Sequence, residues 1–419
     1  MTKALVLFLL FAGIISSYSQ TNDSSLDSLI NQALLVSPKL KMLKAKYNAS
    51  ESRIEVNSNL PDPMLTLGLM NLPTNSFSFT QEPMTGKIVG LSQAFPFPGK
   101  LGSVADVAEK DAEIVTKEIS DSENEIKKII SQNYWELVFV RKAIDVANES
   151  KILLKDIAEV VRANYSVSKA SQQNLLKVEL EITNITDRIE EMKSKENSLV
   201  SMINAQLLRD AQSFIYTNDL PSIEYLKITQ NKLDSLAKSY RPFLEGIQLA
   251  KQKAELMKDL AEYDYYPNFN LSLQYSFRDK IEKTNMPLDD FFSVMVGLSI
   301  PLNYGGKVTA KVEEAEAMQN MYEEQYQASL QMLNGTFGSS IAKLNTLQER
   351  IKLIEEALLP QAQQTYSASL SSYQVAQIDF INVVDAQNKL YQVETNLYRL
   401  KSEYLKEINE LEFLTGIEF

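Results

Sequence analysis

The sequence predicts a mixed α and β membrane protein, in which very long helices carry a small β-sheet and the whole plan occurs twice. Three observations support this fold class. Residues 103–220 contain neither glycine nor proline, which favours long uninterrupted helices. Four segments of about ten residues alternate between apolar and polar side chains, as strands do. These features recur in the same order at a spacing of about 206 residues, which indicates an internal duplication.

The composition restricts the chemistry before any motif is considered. The 419 residues include neither cysteine nor histidine, which removes thiol and Ser-His-Asp nucleophiles, disulfides and zinc fingers. The formal net charge of −12 argues against a nucleic-acid binder. A carboxylate-based hydrolase ranks last, because no two carboxylates can be placed across a cleft. We therefore expect no enzyme, no catalytic residue, no cofactor and no metal site.

The first twenty residues are predicted to be a signal peptide. Lys3 supplies a positive start, residues 4–12 open an apolar core, and residues 17–20 offer small side chains for cleavage. The alternative is a membrane anchor, for which the apolar run is short. We expect an exported mature chain without a transmembrane helix.

The internal duplication is indicated by matching motifs that occur in the same order in both halves of the chain. Residues 61–67 (PDPMLTL) line up with residues 267–273 (PNFNLSL), and Gly99-Lys100 lines up with Gly306-Lys307. Several matches at nearly one offset indicate two copies of one unit.

The mature chain divides accordingly into a first repeat, residues 21–220, and a second repeat, residues 221–419. Each repeat is expected to contain a helix, a β-hairpin and two long helices. The hairpins are expected at about residues 61–98 and 267–302.

The long helices have the apolar spacing of a coiled coil. A helix over residues 101–164 would be about 95 Å long. Along residues 175–203, and again along residues 390–414, apolar side chains recur in steps of three and four, which is the seam of a left-handed coiled coil. Helices packed in an ordinary bundle are the alternative, and the length favours an extended assembly.

The strands have the pattern typical of transmembrane barrels. Phe269, Leu271 and Leu273 alternate with polar residues over residues 268–277, and the other three strands are similar. The alternative is a soluble sheet with one face on a core. Four strands cannot close a barrel, and unpaired edges cannot lie in lipid, so several copies must supply the closure. Two copies would give eight strands and three would give twelve, of which only the larger number leaves an aqueous channel.

This duplicated plan behind a signal peptide resembles the TolC family of outer-membrane efflux proteins. Residues 61–68 (PDPMLTLG), 71–73 (NLP) and 95–100 (FPFPGK) resemble the branch associated with heavy-metal efflux. The resemblance implies a homotrimer with a twelve-stranded β-barrel in outer-membrane lipid and an α-helical barrel in the periplasm. It also implies two partners, a periplasmic adaptor (membrane fusion) protein and an inner-membrane pump of the resistance-nodulation-division type.

In that family each pair of long helices turns over at the periplasmic end, where the adaptor docks. The two turns fall at residues 165–171 and 373–379. The family usually has a left-handed glycine where this chain has Ser168 and Ala376. The resemblance assigns four residues to these helix-turn tips: Tyr165, Ser168, Tyr373 and Ala376.

The resemblance also implies a periplasmic constriction beside the second turn. Two family aspartates fall on Asn382 and Asp385, Asp379 lies nearby, and a family arginine falls on Ile378, so the restraining ion pair is expected to be absent. One carboxylate per protomer around a threefold axis would form a ring that attracts cations. The alternative is that Asp379 and Asp385 are ordinary solvated carboxylates.

The expected function is a passive outer-membrane duct of a tripartite efflux system, with metal cations among its candidate substrates. The first alternative is a type I secretion or drug-efflux outlet of the same fold. The second is a soluble periplasmic coiled-coil adaptor or scaffold, whose strands would form an ordinary small sheet.

Overall fold

The computed structural model describes residues 26–168, 170–375 and 377–419. The expected signal peptide and the expected tip residue Ala376 lie outside the described residues. Helices make up most of the described chain, and four strands form a single sheet. The mixed α and β fold class predicted from the sequence is confirmed.

In the first half of the chain, two short helices precede a hairpin and two long helices follow it. The elements are α1 (Leu26–Val36), α2 (Pro38–Ser58), β1 (Met64–Met70), β2 (Gly86–Phe95), α3 (Lys100–Ser166) and α4 (Gln172–Gln206). The sequence led us to expect one leading helix, and the structure has two. Ser37 separates them, because its hydroxyl accepts a hydrogen bond from the backbone N–H of Leu40 at 3.3 Å and so starts a new helix.

The second half repeats this order of elements. They are α5 (Gln230–Tyr240), α6 (Pro242–Glu262), β3 (Asn268–Phe277), β4 (Phe291–Ser299), α7 (Lys307–Leu353), α8 (Leu359–Gln374) and α9 (Phe380–Thr415). One difference separates the two halves. α3 is continuous over 67 residues, about 100 Å, whereas a π-helical turn, Ile354–Leu358, separates α7 from α8.

Helix does not reach residue 220, although the lack of glycine and proline favoured it. α4 ends at Gln206, and residues 207–229 are extended or turned. The side chain of buried Asn204 ends the helix by donating to the carbonyls of Ala211 (3.2 Å) and Ser213 (2.7 Å). The segment is then anchored to the long helices by two tyrosine hydroxyls.

One tyrosine comes from each half of the chain. The hydroxyl of Tyr134 on α3 accepts from the N–H of Asn218 at 3.1 Å, and that of Tyr404 on α9 accepts from the N–H of Leu226 at 2.7 Å. Side chains therefore replace the helical hydrogen bonds that this segment lacks. We call residues 207–229 the repeat linker.

The helices form one layer around α3. Near the sheet, the neighbours follow the order α2, α3, α6, α7. Near the helix turns, the order is α4, α3, α9, α8. α3 thus touches both halves of the chain along its whole length. Among the described residues, the structure has no helix long and apolar enough to cross a membrane.

The sheet is an antiparallel meander in the order β1, β2, β3, β4. In the middle of the sheet, its register aligns residues of like polarity across all four strands. β1 and β4 are the two edges of the sheet.

Candidate functional site

One face of the sheet is apolar and exposed. The register places four side chains in one row across the strands: Leu65, Leu91, Leu273 and Val294. A second row lies two residues further along each strand: Leu67, Val89, Tyr275 and Phe292. All eight are exposed, Leu67 to 70% and Phe292 to 65%. An ordered apolar surface of this kind is unfavourable in water and indicates a face that contacts lipid.

The opposite face is mostly polar or small. Thr66, Gly90, Gln274 and Ser293 form a row there, with Ser92 opposite Ser272 in the next. No described helix packs substantially on either face, so the sheet has no core of its own. An apolar outer face and a polar inner face are what a water-filled barrel requires.

Gln93 interrupts the apolar pattern of β2, and the structure accounts for it. Its amide nitrogen donates to the carbonyl of Pro61 at 2.7 Å, near the end of the strand that leads into α3. The polar group is therefore satisfied within the protein.

An ion cluster joins the sheet to the helices. Asp264, between α6 and β3, pairs with Lys100 at the start of α3 (2.6 Å) and with Lys311 near the start of α7. Burial raises the pKa of Asp264, but hydrogen bonds and charge from Lys100 and Lys311 outweigh burial and lower it below 3.8. Asp264 thus fixes the first turns of both long helices relative to the sheet.

Replacing Asp264 with asparagine is expected to destabilise the protein by about 1 kcal/mol at neutral pH, since these ion pairs are partly exposed. Because the folded-state pKa is lowered, the contribution of Asp264 is present above 3.8 and is lost as the pH falls through the folded value. Thermal unfolding at pH 7 and below pH 3.8 tests this. The difference in unfolding temperature between wild type and Asp264→Asn should be smaller in acid than at pH 7. The control Asp259→Asn, at an exposed position, should unfold as wild type does at both pH values. A difference that persists unchanged in acid would contradict this role.

At the far end of the helices, the two expected tips differ. Tyr165 is exposed, with 45% of its surface accessible. Tyr373 is partly buried, where its ring contacts that of Phe380 at 5.8 Å and its hydroxyl accepts from Asn164 at 3.4 Å. The structure therefore leaves Tyr165 available to a partner and uses Tyr373 to join the two helix pairs.

Ser168 adopts the left-handed backbone conformation that the family gives to glycine. Its φ is +59°, and its N–H donates to the carbonyl of Tyr165 at 2.9 Å. This conformation is about 1–2 kcal/mol less favourable for a residue that has a Cβ. The first turn thus has the glycine-type geometry without the glycine.

We expect Ser168→Gly to stabilise this turn by about 1 kcal/mol. Glycine removes the backbone strain, and this gain is partly offset because glycine gives the unfolded chain more conformational freedom. Hydrogen exchange of residues 163–172 should become slower. Ser166→Gly is the matched control, because Ser166 ends α3 in helical conformation and glycine there should speed exchange. Faster exchange in Ser168→Gly would show that the serine side chain itself supports the turn.

The three expected constriction residues lie along one exposed line at the start of α9, where Asp379 directly precedes the helix. Asp379, Asn382 and Asp385 are three residues apart and exposed. Between them, Phe380, Val383 and Val384 are buried against the ends of α3 and α4. The structure thus brings the three polar side chains together on the face that points away from the protein core.

Two features near this line were not anticipated from the sequence. The buried amide of Gln387 donates to the hydroxyl of Ser150 on α3 at 2.5 Å, which clamps α9 to α3. Burial, and then the charge of Glu149, raise the pKa of Glu394, which a hydrogen bond with Gln363 on α8 partly offsets. Ser150 and Glu149 lie more than 200 residues from their partners Gln387 and Glu394, so only the fold reveals these two contacts.

Within the described ranges, no group of histidine, cysteine or carboxylate residues could hold a metal ion. The described residues present surfaces instead: an amphipathic sheet, a helical layer about 100 Å long, and charged residues near its end. These features are typical of a protein that forms a channel through a lipid bilayer.

Comparisons with known proteins agree with this class. Residues 233–417 match the family model described as outer membrane efflux protein. The cobalt-zinc-cadmium resistance protein CzcC of Cupriavidus metallidurans is 17% identical over 70% of this chain and 68% of its own length. The outer membrane protein TolC of Vibrio cholerae is 21% identical over 99% of this chain and 96% of its own.

Solved structures show the same fold. The outer membrane protein VceC of Vibrio cholerae superposes with a TM-score of 0.77 at 16% identity, covering 94% of this chain and 96% of that one. CusC superposes with a TM-score of 0.75 at 16% identity, covering 94% and 93%. The second half of the chain thus matches the outer membrane efflux protein model, and the described chain has the fold of these solved outer membrane proteins.

Proposed function

We propose that this chain is the outer-membrane channel of a tripartite efflux system, through which substrates leave passively, without catalysis or a cofactor. The observation that carries the proposal is the sheet, whose apolar rows face outward and whose polar rows face inward. The same chain continues from this sheet into helices long enough to cross much of the periplasm.

Closure of the channel requires further copies of the chain. β1 of one copy would pair with β4 of the next, so that no strand edge faces lipid. Three copies give twelve strands, enough to leave an aqueous path, whereas eight strands fill their own interior. The helical layers would close in the same way into an α-helical barrel. A detergent-extracted trimer from the outer-membrane fraction supports this, and a periplasmic monomer contradicts it.

The helix turns would face the periplasmic adaptor, with an inner-membrane pump beneath it. Exposed Tyr165 and Ser168, together with exposed Val167 and Val375, offer a small surface for docking. Tyr373 and Ala376 complete the tip set expected from the sequence. A pump of the resistance-nodulation-division type is part of this proposal.

The constriction would consist of Asp379, Asn382 and Asp385 from each copy. Their exposure in the protomer and their position beside the turn support this role. Three copies would repeat the carboxylates as rings that attract cations and repel anions.

Asp385→Ala should raise the conductance of the channel in planar bilayers about twofold and weaken its preference for cations, since the ring loses charge and bulk. Asp187→Ala removes an exposed carboxylate from α4 and serves as the control, with wild-type conductance expected. If Asp385→Ala conducts as wild type does, the constriction assignment is wrong while the channel itself stands.

Metal cations are the proposed substrate class, supported by the similarity to the cobalt-zinc-cadmium resistance protein CzcC and by the exposed carboxylates of Asp379 and Asp385. The second candidate is a drug-efflux or type I secretion outlet of the same fold. Deletion of the chain, followed by growth in metal salts and in hydrophobic drugs, separates the two. Metal sensitivity alone supports the first, and drug sensitivity alone supports the second.

A further inference from the structure

A groove lies beside the repeat linker, between the sheet and the helix turns. Its walls come from α3, α4 and the linker of a single copy, and it encloses about 350 Å³. Along α3 the groove lies about 60 Å from the first residue of that helix. It is therefore separate from the lipid-facing sheet, from the tips and from the constriction.

Two aromatic rings are exposed at this groove. Phe214, which lines the groove, is 66% exposed, and its neighbour Tyr216 is 53% exposed. The two rings meet edge to face, with 4.7 Å between their centres. Together they offer a flat apolar surface to a ligand.

The protein holds the ring of Phe214 in place. The guanidinium of Arg141 lies 5.2 Å from the centre of that ring. It donates to the carbonyl of Ile215 at 2.6 Å and to the hydroxyl of Thr217 at 2.9 Å, and its Nε donates to Glu196 of α4 at 2.7 Å. Because both flanks of Phe214 are fixed in this way, little ordering is needed when a ligand binds.

The rest of the groove is polar and almost neutral. Two basic and three acidic side chains line it: Arg141, Lys142, Asp145, Glu196 and Asp219. Arg141 and Glu196 neutralise each other as an ion pair. The remaining donors and acceptors therefore surround the apolar ring without a strong net charge. This arrangement suits an uncharged ligand that is rich in hydroxyl and amide groups.

A sugar ring has this combination of properties, because its C–H face is apolar and its edge carries polar groups. We propose that the groove binds the N-acetylated glycan strand of the cell wall. A sugar would stack its C–H face on Phe214, while its hydroxyl and acetamido groups would hydrogen-bond to Asp145 and Asp219. The choice of this strand rests on the proposed placement of the chain in the outer membrane.

The position of the groove fits such a ligand. The repeat linker crosses one face of the helical layer, from α4 past Tyr134 of α3 to Tyr404 of α9. In the proposed barrel this is the outer face, because segments laid across the inner face would obstruct the channel. About 60 Å from the sheet, that outer face would lie in the periplasm, where the glycan mesh surrounds the channel. Three copies would present three grooves, so that the mesh is held at several points.

Binding of a β-1,4-linked tetramer of N-acetylglucosamine to the purified full-length protein, measured by titration calorimetry, tests the groove. Phe214→Ala and Phe214→Leu should each lower the affinity at least tenfold, because the stacking ring is lost. Phe214→Tyr keeps the ring and should bind within twofold of wild type. The control Phe77→Ala removes a phenylalanine that is 69% exposed in the loop between β1 and β2, and it should bind as wild type does.

Each of these variants should unfold close to the wild-type temperature, since the replaced side chains are exposed. Absence of tetramer binding by the wild type, or wild-type affinity in Phe214→Leu, overturns the saccharide site. A protein captured from envelope extracts by the wild type but not by Phe214→Leu, without saccharide binding, would assign the groove to a protein instead.

Co-sedimentation with purified cell-wall sacculi tests the polymer as the ligand. Phe214→Leu and Asp219→Ala should be recovered with the sacculi at least threefold less than the wild type. The control Asp187→Ala, which removes an exposed carboxylate of α4 outside the groove, should be recovered equally. Binding of the tetramer without binding of sacculi overturns the cell-wall strand as the ligand.

Conductance in planar bilayers separates this inference from the proposed channel function. Phe214→Leu should conduct as the wild type does, because the groove lies outside the channel. Loss of saccharide binding by the wild type with normal conductance would overturn the groove alone. Saccharide binding by a wild type that does not conduct would count against the channel function instead.

Discussion

Replacement of Leu273 by arginine is expected to prevent stable assembly in the membrane. Leu273 lies in the middle of β3, on the apolar face, between Leu91 and Val294. An arginine facing lipid near the centre of a transmembrane strand costs about 2–4 kcal/mol, and the cost recurs in every copy of an oligomer. Unfolding in urea from lipid vesicles, together with recovery from the outer-membrane fraction, measures the effect.

The adjacent residue supplies the control. Gln274 occupies the polar face, in the row of Thr66, Gly90 and Ser293. Gln274→Arg should fold and assemble, because its charge would meet water. If both variants assemble equally well, or both fail, the assignment of the two faces is wrong.

Truncation of Tyr404 is expected to give the largest loss of stability among the helical residues considered. Its ring is 1% exposed, meets Tyr225 edge to face at 5.8 Å, and its hydroxyl holds the backbone of Leu226. Tyr404→Ala should cost about 3–5 kcal/mol through the cavity it leaves, and Tyr404→Phe about 1–2 kcal/mol through the lost hydrogen bond. Exposed Tyr240→Ala should change stability little.

Thermal unfolding measures the loss of stability in both variants, and limited proteolysis shows which segment becomes accessible. The repeat linker should become the first cleavage site in Tyr404→Phe, since one of its two tyrosine anchors is released. Equal stability of Tyr404→Phe and wild type would mean that the hydrogen bond does not hold the linker.

The strands and long helices were predictable because each depends on a local pattern. Alternation in residues 268–277 specified which side chains share a face, and the register of the sheet follows that alternation. The run without glycine or proline indicated α3, yet it overstated α4, because Asn204 ends that helix by a hydrogen bond that propensity does not encode. The break between α7 and α8 was not predicted, although Pro360 lies directly after it and a proline interrupts a regular helix.

The site was predictable to a lesser extent. Resemblance placed Asn382 and Asp385 on one helix, with Asp379 in the turn before it, and a spacing of three residues puts them near one face. The face of α9 that is buried is determined by its packing against α3, which a local pattern does not reveal. The hydrogen bond between Gln387 and Ser150 likewise joins residues 237 positions apart. The constriction is a prediction that Asp385→Ala tests, and adaptor docking at the tips is a further prediction.

The central position of α3 has a consequence for the order in which the protein folds. Near its two ends α3 lies against α6 and α9, elements that are synthesised and exported long after it. Until they arrive, one side of a helix about 100 Å long has no partner. Contacts of such sequence separation form slowly and leave apolar surface open to aggregation in the meantime. The nascent chain therefore depends on protection in transit until its last helix docks.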